Sequence, residues 1–564
     1  MSSPGRRRRA VSHFLARHWF LTVCLVSITL VAVQWAPFQT RSNFNGETGL
    51  VLPSLQGGWQ AFVYWGDPVR LFTQSGYHLG FLLNEMLGIP GSPFGYQGLY
   101  LLLWIARPIL VGIIAIRAFA LPLPAALAGV VVASVFGGDD ATNWIGQLNQ
   151  HWFLALACGA AALILVPIRS PGLQFFSGLL ASALAFVALW SYEGVLPVVI
   201  SFVGVALLLR ILQQQPGGWL PAAMVLGVVL ASIGTNAARF LGPSSGVDYQ
   251  SSVGRTDWGL GSIASDAAAY FRNALFFWQW GPESGAVLFG WWMALLAVLA
   301  GLVALSVLAW SFKSWSQDGL RHRQSDAGGR LAVVLGLAIL AFGSAPYLLL
   351  ADAAQPWRNQ FTAGLGLAFL VSGLVALALP LLAAARQNGF RRLGLAAMAV
   401  LSACLAGFGV SAALMDGKRF QANWEAHAES VRDVVRAANC VAPNTVVFVA
   451  LPAGADPFGH SMWMSNALSL AFMTPGVVGV YSVGGELGPG ADQPVSPTTA
   501  EDRAWISIVE DRDGRLVRSE EIPTEFTKVA HLSAVSAGQS AAPAKCGPKT
   551  EFSVRMFGLQ ESLK

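Results

Sequence analysis

Charge is scarce in this chain. Of its 564 residues only 12% are Asp, Glu, Lys or Arg, where soluble domains carry about 25%. So little charge cannot coat a water-facing surface around a chain that is 54% hydrophobic, and a soluble globular protein is excluded. Cysteine is also sparse, with five residues and no C-x-x-C or Cys/His spacing of the kind that holds zinc. The net charge of +5 is not gathered into a basic face. Its arginines and lysines stand in short clusters beside apolar runs, so nucleic acid is not an expected partner. No small-residue cleavage site follows the first apolar run, "LTVCLVSITLVAVQWAPF", which is therefore expected to stay as an uncleaved helix. Nor is an internal repeat visible, which weakens the case for an inverted-repeat transporter.

Long apolar runs are what the sequence has in abundance, and mean hydropathy is +0.54. Runs near the roughly 20 residues needed to cross a bilayer lie at 19–36, 98–116, 121–137, 151–167, 173–190, 194–211, 218–236, 285–310, 331–350, 361–384 and 394–414. They predict an all-α polytopic membrane bundle of about eleven transmembrane helices. A further run, "GYHLGFLLNEMLGI" (76–89), is short, carries His78 and Glu85, and reads as an interfacial helix.

The positive-inside rule orients the bundle. Four arginines at 6–9 place the N-terminus in the cytoplasm. With eleven spans, Arg117, Arg169, Arg210, "KSWSQDGLRHRQSDAGGR" and "ARQNGFRR" then all fall inside. A spanning 76–89 would turn every later cluster outward. The expected organisation is a basic cytoplasmic N-terminus (1–18), a transmembrane domain (19–414) with a long first outer loop (37–97), and an extracytoplasmic C-terminal domain (415–564).

The tail reads as a small α/β domain. "NWEAHAESVRDVVRAAN" has the spacing of an amphipathic helix, while "TVVFVALPAG" and "RAWISIVEDRDGRLVRS" read as strands, the second turning at Asp513-Gly514. Cys24, Cys158 and Cys404 sit in apolar runs as small hydrophobes. Cys440 and Cys546 lie in the tail, where export makes a disulfide chemically permissible.

Most groups able to carry chemistry collect on the outer side. Asp139 and Asp140 end the third span in "VFGGDDATNWIGQLNQHWF", followed closely by Asn143, Gln147, Asn149, Gln150 and His151. That is more hydrogen-bonding capacity than a short connection requires. The first loop adds Glu47 in "NFNGETG" and Asp67 with Arg70 in "WGDPVRLF". Glu193 stands in the turn "LWSYEGVLP", and Arg358 in "QPWRNQF". Carboxylates that can take a proton or hold a divalent cation thus share a side with an arginine able to grip a phosphate. Arg107 lies mid-span beside Pro108, where a charge faces the bundle interior and needs a partner. A carboxylate or a lipid phosphate is expected in that role. The tryptophans of "FFWQWGPESGAVLFGWW" read first as an interfacial belt.

This organisation resembles the GT-C class of membrane glycosyltransferases, which includes protein mannosyltransferases and oligosaccharyltransferase catalytic subunits. The resemblance rests on the whole chain: a first helix from a basic cytoplasmic end, a long acidic outer loop with an interfacial helix, a bundle of this size and an exported C-terminal domain. It implies a sugar donor carried on a polyprenyl phosphate, a lipid or glycan acceptor, membrane lipids as surroundings, and transfer on the outer face. By the resemblance Glu47 best matches the acidic residue of the first loop, with Asp67 behind it. Asp139 and Asp140 match a second acidic motif, and Arg358 the arginine that meets the carrier phosphate. Glu47, Asp139 and Asp140 are thus the expected catalytic residues, and Asp67, Glu193, Arg107, Arg358 and His151 the expected substrate-binding ones. The first loop has no D-x-D and no adjacent Asp-Glu pair, so the identity of the base stays open, as does any metal. Within a bacterial-type plasma membrane, the expected work is assembly of envelope glycan or glycolipid. The alternatives are an O-antigen-type polymerase or ligase using outer-loop arginines, a lipid or solute transporter, and a scaffold whose tail binds other proteins.

Overall fold

The computed structural model describes residues 18–35, 62–63, 70–89, 94–136, 148–168, 170–213, 219–241, 258–277, 290–317, 325–345, 348, 362–384, 388–443, 445–454, 456–458, 461–472, 474, 477–489, 491 and 505–528. In a bilayer every backbone N–H and C=O must find a partner within its own segment or a closed barrel, so long apolar runs become helices. They are α1 (Trp19–Trp35), α2 (Ser75–Met86), α3 (Phe94–Ile113, continued by a π-helical turn Ile114–Ala118), α4 (Leu123–Val135), α5 (Leu148–Leu165), α6 (Pro171–Leu189) and α7 (Leu196–Gln213). There follow α8 (Trp219–Leu241), α9 (Leu260–Leu275), α10 (Trp291–Gln317), α11 (Ser325–Ser344), α12 (Ala363–Ala384) and α13 (Asn388–Ala438).

Among the described residues eight helices are long and apolar enough to cross a membrane, and three apolar ones are shorter, Trp19–Trp35, Leu123–Val135 and Leu196–Ile211. The chain is an integral multi-pass membrane protein. Helix α2 has 12 residues, about 18 Å at 1.5 Å per residue, which is short of the roughly 30 Å hydrocarbon core. Helix α9 was not foreseen: the sequence reading placed 237–284 in one outer loop, whereas Leu260–Leu275 forms a helix with Tyr270 and Ala274 buried.

Helices α11 and α12 pack along small residues. A Cβ on Gly336 would lie 2.7 Å from the Gly366 carbonyl oxygen, closer than real side chains approach. Only glycine lets the two backbones come together there.

The sequence reading treats 394–414 and 423–439 as two separate helical stretches. In the structure both belong to α13, an unbroken helix of 51 residues, and the expected domain boundary at 415 falls inside it. Helix propensity is high throughout "KRFQANWEAHAESVRDVVRAA", and nothing in that stretch acts as a stop. The helix ends at Asn439, which takes the left-handed φ of 57° typical of the residue after a helix.

Beyond it the chain forms a five-stranded sheet of order β3-β2-β1-β4-β5, with β1 (Val446–Leu451), β2 (Val478–Val483), β3 (Glu486–Leu487), β4 (Trp505–Glu510) and β5 (Leu516–Ser519). Central β1 runs parallel to β2 and β4, and the edge strands β3 and β5 are antiparallel. A helix, α14 (Ser461–Phe472), connects β1 to β2. Strand β1 is buried on both faces, as its run "VVFVAL" requires. One apolar cluster joins Val31, Tyr77, Tyr96, Tyr100 and Trp104 of the bundle to Trp424 and Val431 of α13 and to Phe458, Met464 and Ile506 around the sheet.

Candidate functional site

Helix α4 is the element that leads, in the sequence, to Asp139 and Asp140. It has 13 residues, about 20 Å, and so stops short of crossing the hydrocarbon core. Two buried side chains from neighbouring helices hold its C-terminal end. Arg107 of α3 donates through Nη2 to the carbonyl oxygens of Ala133 (2.9 Å) and Phe136 (3.0 Å). Gln34 of α1 donates through Nε2 to Ser134 O at 3.0 Å and to Leu30 O at 2.7 Å. A guanidinium on the last carbonyls of a helix satisfies acceptors that have no partner within the helix and complements its dipole. Arg107 lies 13 residues into α3, so the end of α4 stands well below the start of that helix, inside the bundle. Backbone carbonyls are thus among the partners of Arg107, a kind of partner that the sequence reading, which expected a carboxylate or a lipid phosphate, did not name.

Other elements close around this end. A Cβ on Gly364, near the start of α12, would lie 2.5 Å from Phe136 Cδ1. The Phe277 ring, just beyond α9, sits 4.9 Å from the Phe136 ring. A Cβ on Gly409 of α13 would lie 2.8 Å from Val135 Cγ2 and 2.9 Å from Phe277 Cε2.

A second group of contacts adjoins the first. The segment before α2 is tied to the end of α6, with Phe72 N donating to Trp190 O at 3.1 Å and Thr73 Oγ1 to Ser191 O at 3.1 Å. At the start of α5, Trp152 donates through Nε1 to Ser75 Oγ at 3.1 Å. His151 is buried there, with its ring 4.9 Å from that of Tyr100 in an edge-on contact. Asn149 and Gln150 beside it are buried as well.

Five of the expected site residues, Glu47, Asp67, Asp139, Asp140 and Arg358, lie outside the described residues. For Glu193 the backbone is described, as the first residue of a short 3-10 turn Glu193–Val195, and the side chain is not. What the structure does describe are residues that flank them in the sequence. Asp139 follows Phe136 by three residues, Arg358 precedes Gly364 by six, Asp67 precedes Arg70 by three, and Glu193 follows Ser191 by two. Phe136 touches the start of α12, the 70–75 segment touches Trp190 and Ser191, and the start of α5 touches the start of α2.

Sequence reasoning missed several polar groups. Gln34 ends an otherwise uniform apolar run. Asp416, in "LMDGKRF" of α13, is the one fully buried carboxylate among the described residues. Its position just past an apolar run was the signal available. In the C-terminal domain, His427 of α13 is buried and its Nδ1 lies 3.2 Å from Pro457 O. Tyr481 donates to Asp456 Oδ2 at 2.7 Å, and Asp456 Oδ1 accepts from Phe458 N at 2.9 Å. Burial pushes the His427 imidazole down to about 4, against smaller upward pulls from the Pro457 carbonyl and the Asp456 carboxylate. Burial likewise raises the Tyr481 phenol, reinforced by Asp456. Among the described residues no three His, Cys, Asp or Glu side chains cluster as a metal site.

No family model matches the chain, and no curated protein matches it. Among solved structures it is similar to ArnT from Cupriavidus metallidurans bound to undecaprenyl phosphate, with a TM-score of 0.42 and 12% identity over 93% of this chain and 96% of that one. It is similar also to the same protein in the apo state, at a TM-score of 0.41 and 12% identity over 89% and 93%.

Proposed function

We propose that this chain is a glycosyltransferase of the GT-C kind, which moves a sugar from a polyprenyl-phosphate carrier to a lipid or glycan acceptor on the extracytoplasmic face. The observation that supports the reading is the packing of several helices around the end of α4. Helices α1, α3, α12 and α13 all pack at or beside that end, and the segments bearing Asp139, Asp140 and Arg358 begin or finish there. Such a placement suits a reaction in which a lipid tail lies among helices while its headgroup reacts at the outer rim.

The chemistry asks little of the protein beyond placement and charge. An acceptor hydroxyl oxygen attacks the anomeric carbon, the bond from that carbon to the phosphate oxygen breaks, and the hydroxyl proton passes to a carboxylate. Glu47, Asp139 or Asp140 serves as that base. The departing phosphate keeps the electron pair, and Arg358 stabilises its charge. Asp67, Glu193 and His151 then contribute to holding sugar and acceptor. Arg107 acts from below, by keeping the end of α4 in place. A divalent cation, if one takes part, would be held by the same carboxylates. Undecaprenyl phosphate, present in one of the similar solved structures, is the carrier to try first.

The test is lipid mass spectrometry on cells lacking this protein, complemented with wild type or with Asp140→Asn. A polyprenyl-phosphate sugar should accumulate without the protein, vanish with wild type and persist with a well-expressed mutant. Unchanged lipid-linked sugars in the deletion would refute transfer and favour a transporter or scaffold.

A further inference from the structure

Helix α13 carries a group of charges that the proposed reaction has not used. Its apolar run closes near Leu414, and "MDGKRF" follows at once. A span of 394–414 is about 30 Å long, so residues 416–420 stand one turn beyond the hydrocarbon core, at the depth of lipid headgroups. Asp416 is wholly buried there, and a buried carboxylate is costly unless a cation holds it. Arg419 is a cation beside it: its Nη2 lies 3.7 Å from Asp416 Oδ1, and its guanidinium sits 4.9 Å from the centre of the Phe420 ring. The arginine side chain keeps 28% of its surface open, and half-buried Lys418 stands beside it.

The direction of this group follows from the helix repeat. Gly409 touches Val135, at the end of α4. Asp416 comes seven residues later, two turns up the same face and about 10.5 Å along the axis. The Asp416–Arg419 pair therefore stands beyond the end of α4, where Asp139 and Asp140 follow Phe136 by three and four residues in the sequence. A guanidinium steadied by a carboxylate on one side and an aromatic ring on the other is an ordered fork of donors, the form in which arginine takes a phosphate in two parallel hydrogen bonds.

We propose that Arg419, positioned by Asp416 and assisted by Lys418, binds the phosphate of a lipid in the outer leaflet, and that this lipid is the polyprenyl-phosphate carrier. The identity of the lipid rests on the proposed function; the phosphate site itself does not.

The experiment is native mass spectrometry of the full-length protein in detergent, titrated separately with undecaprenyl phosphate and with phosphatidylglycerol. Wild type, Arg419→Gln, Arg419→Lys and Asp416→Asn are compared, each first checked for a wild-type elution profile. Arg419→Gln should weaken undecaprenyl phosphate binding about tenfold or more. Arg419→Lys should fall between, since it keeps the charge without the fork, and Asp416→Asn should weaken binding less than Arg419→Gln. Phosphatidylglycerol should bind weakly and lose little. Equal losses for both lipids would uphold the phosphate site and overturn its assignment to the carrier. Unchanged binding in folded Arg419→Gln, or no binding of either lipid to wild type, would overturn the site. If Arg419→Gln does not fold, Arg419→Lys and Asp416→Asn carry the same comparison. A lipid-linked sugar that accumulates in deletion cells while Arg419→Gln still binds the carrier would sink this inference and leave the proposed function standing.

Discussion

Individual side chains hold the joints of this protein, and their partners are mostly backbone atoms of other elements. Arg107 was legible as an interior charge because a guanidinium in an apolar run has nowhere else to go. Its partners were not legible. They include carbonyls of Ala133 and Phe136, and any helix end offers identical carbonyls whatever its sequence. Arg210 does the same for α5, donating to Ile164 O at 3.2 Å. His151 packs its ring edge-on against Tyr100, a neighbour seven residues before Arg107 that its own segment does not announce. His427 supplies a prediction at this scale. Its imidazole is held near 4 in the folded protein, against about 6.5 when unfolded. The unfolded chain therefore binds the extra proton more readily, and stability is lost as pH falls from about 6.5 towards 4. The loss approaches about 3 kcal/mol at the lower end. Thermal unfolding of the full-length protein between pH 7 and pH 4.5 should show a fall in apparent Tm that His427→Phe removes in part. An identical pH profile in the variant would mean that this imidazole is not the group responsible.

Whole elements were more readable than their ends. Apolar runs at a bilayer's length specify helices because no other backbone arrangement satisfies itself in hydrocarbon, and strands β1, β4 and β5 fall where alternation and a Asp513-Gly514 turn place them. Strand β2 and helix α14 were missed, since "SMWMSNALSLAF" and "VGVYSV" are short apolar stretches in which helical and strand spacing cannot be told apart. The continuity of α13 was also hidden, because a change from apolar to charged composition marks the membrane surface without breaking a helix. The approach of α11 to α12 is testable. Gly336→Leu would force a side chain into the Gly366 backbone and should separate the pair, at a cost of about 1–3 kcal/mol or more. A lowered apparent Tm and faster hydrogen exchange in peptides of α11 and α12 would be the readout, with Gly227→Leu, whose Cβ would meet open space, as the harmless control.

The arrangement of the molecule across the membrane that its basic clusters lead one to expect is open to a redox test. Cys440 is disulfide-bonded, while Cys24, Cys158 and Cys404 are free thiols. Disulfides persist on the oxidising side of a membrane, which is the side expected for the tail from the basic clusters. Cys546, the expected partner, lies outside the described residues. In intact spheroplasts a membrane-impermeant thiol reagent should label Cys440 only after reduction. Labelling that needs a permeabilised membrane would turn the whole topology over.

Helix α13 also has a mechanical meaning. From Leu414 to Ala438 it rises about 36 Å above the core without a break, and the β-sheet is packed against its upper part. Strand β1 returns along it, so that the loop after the strand meets His427 through Pro457 and the sheet's carboxyl edge looks back towards the bilayer. A mast of this kind turns tilt into travel: leaning its membrane section by about 10° sweeps the top through roughly 6 Å. Because one apolar cluster joins that upper part both to the bundle and to the sheet, such a lean would carry the sheet with it and repack the whole seam.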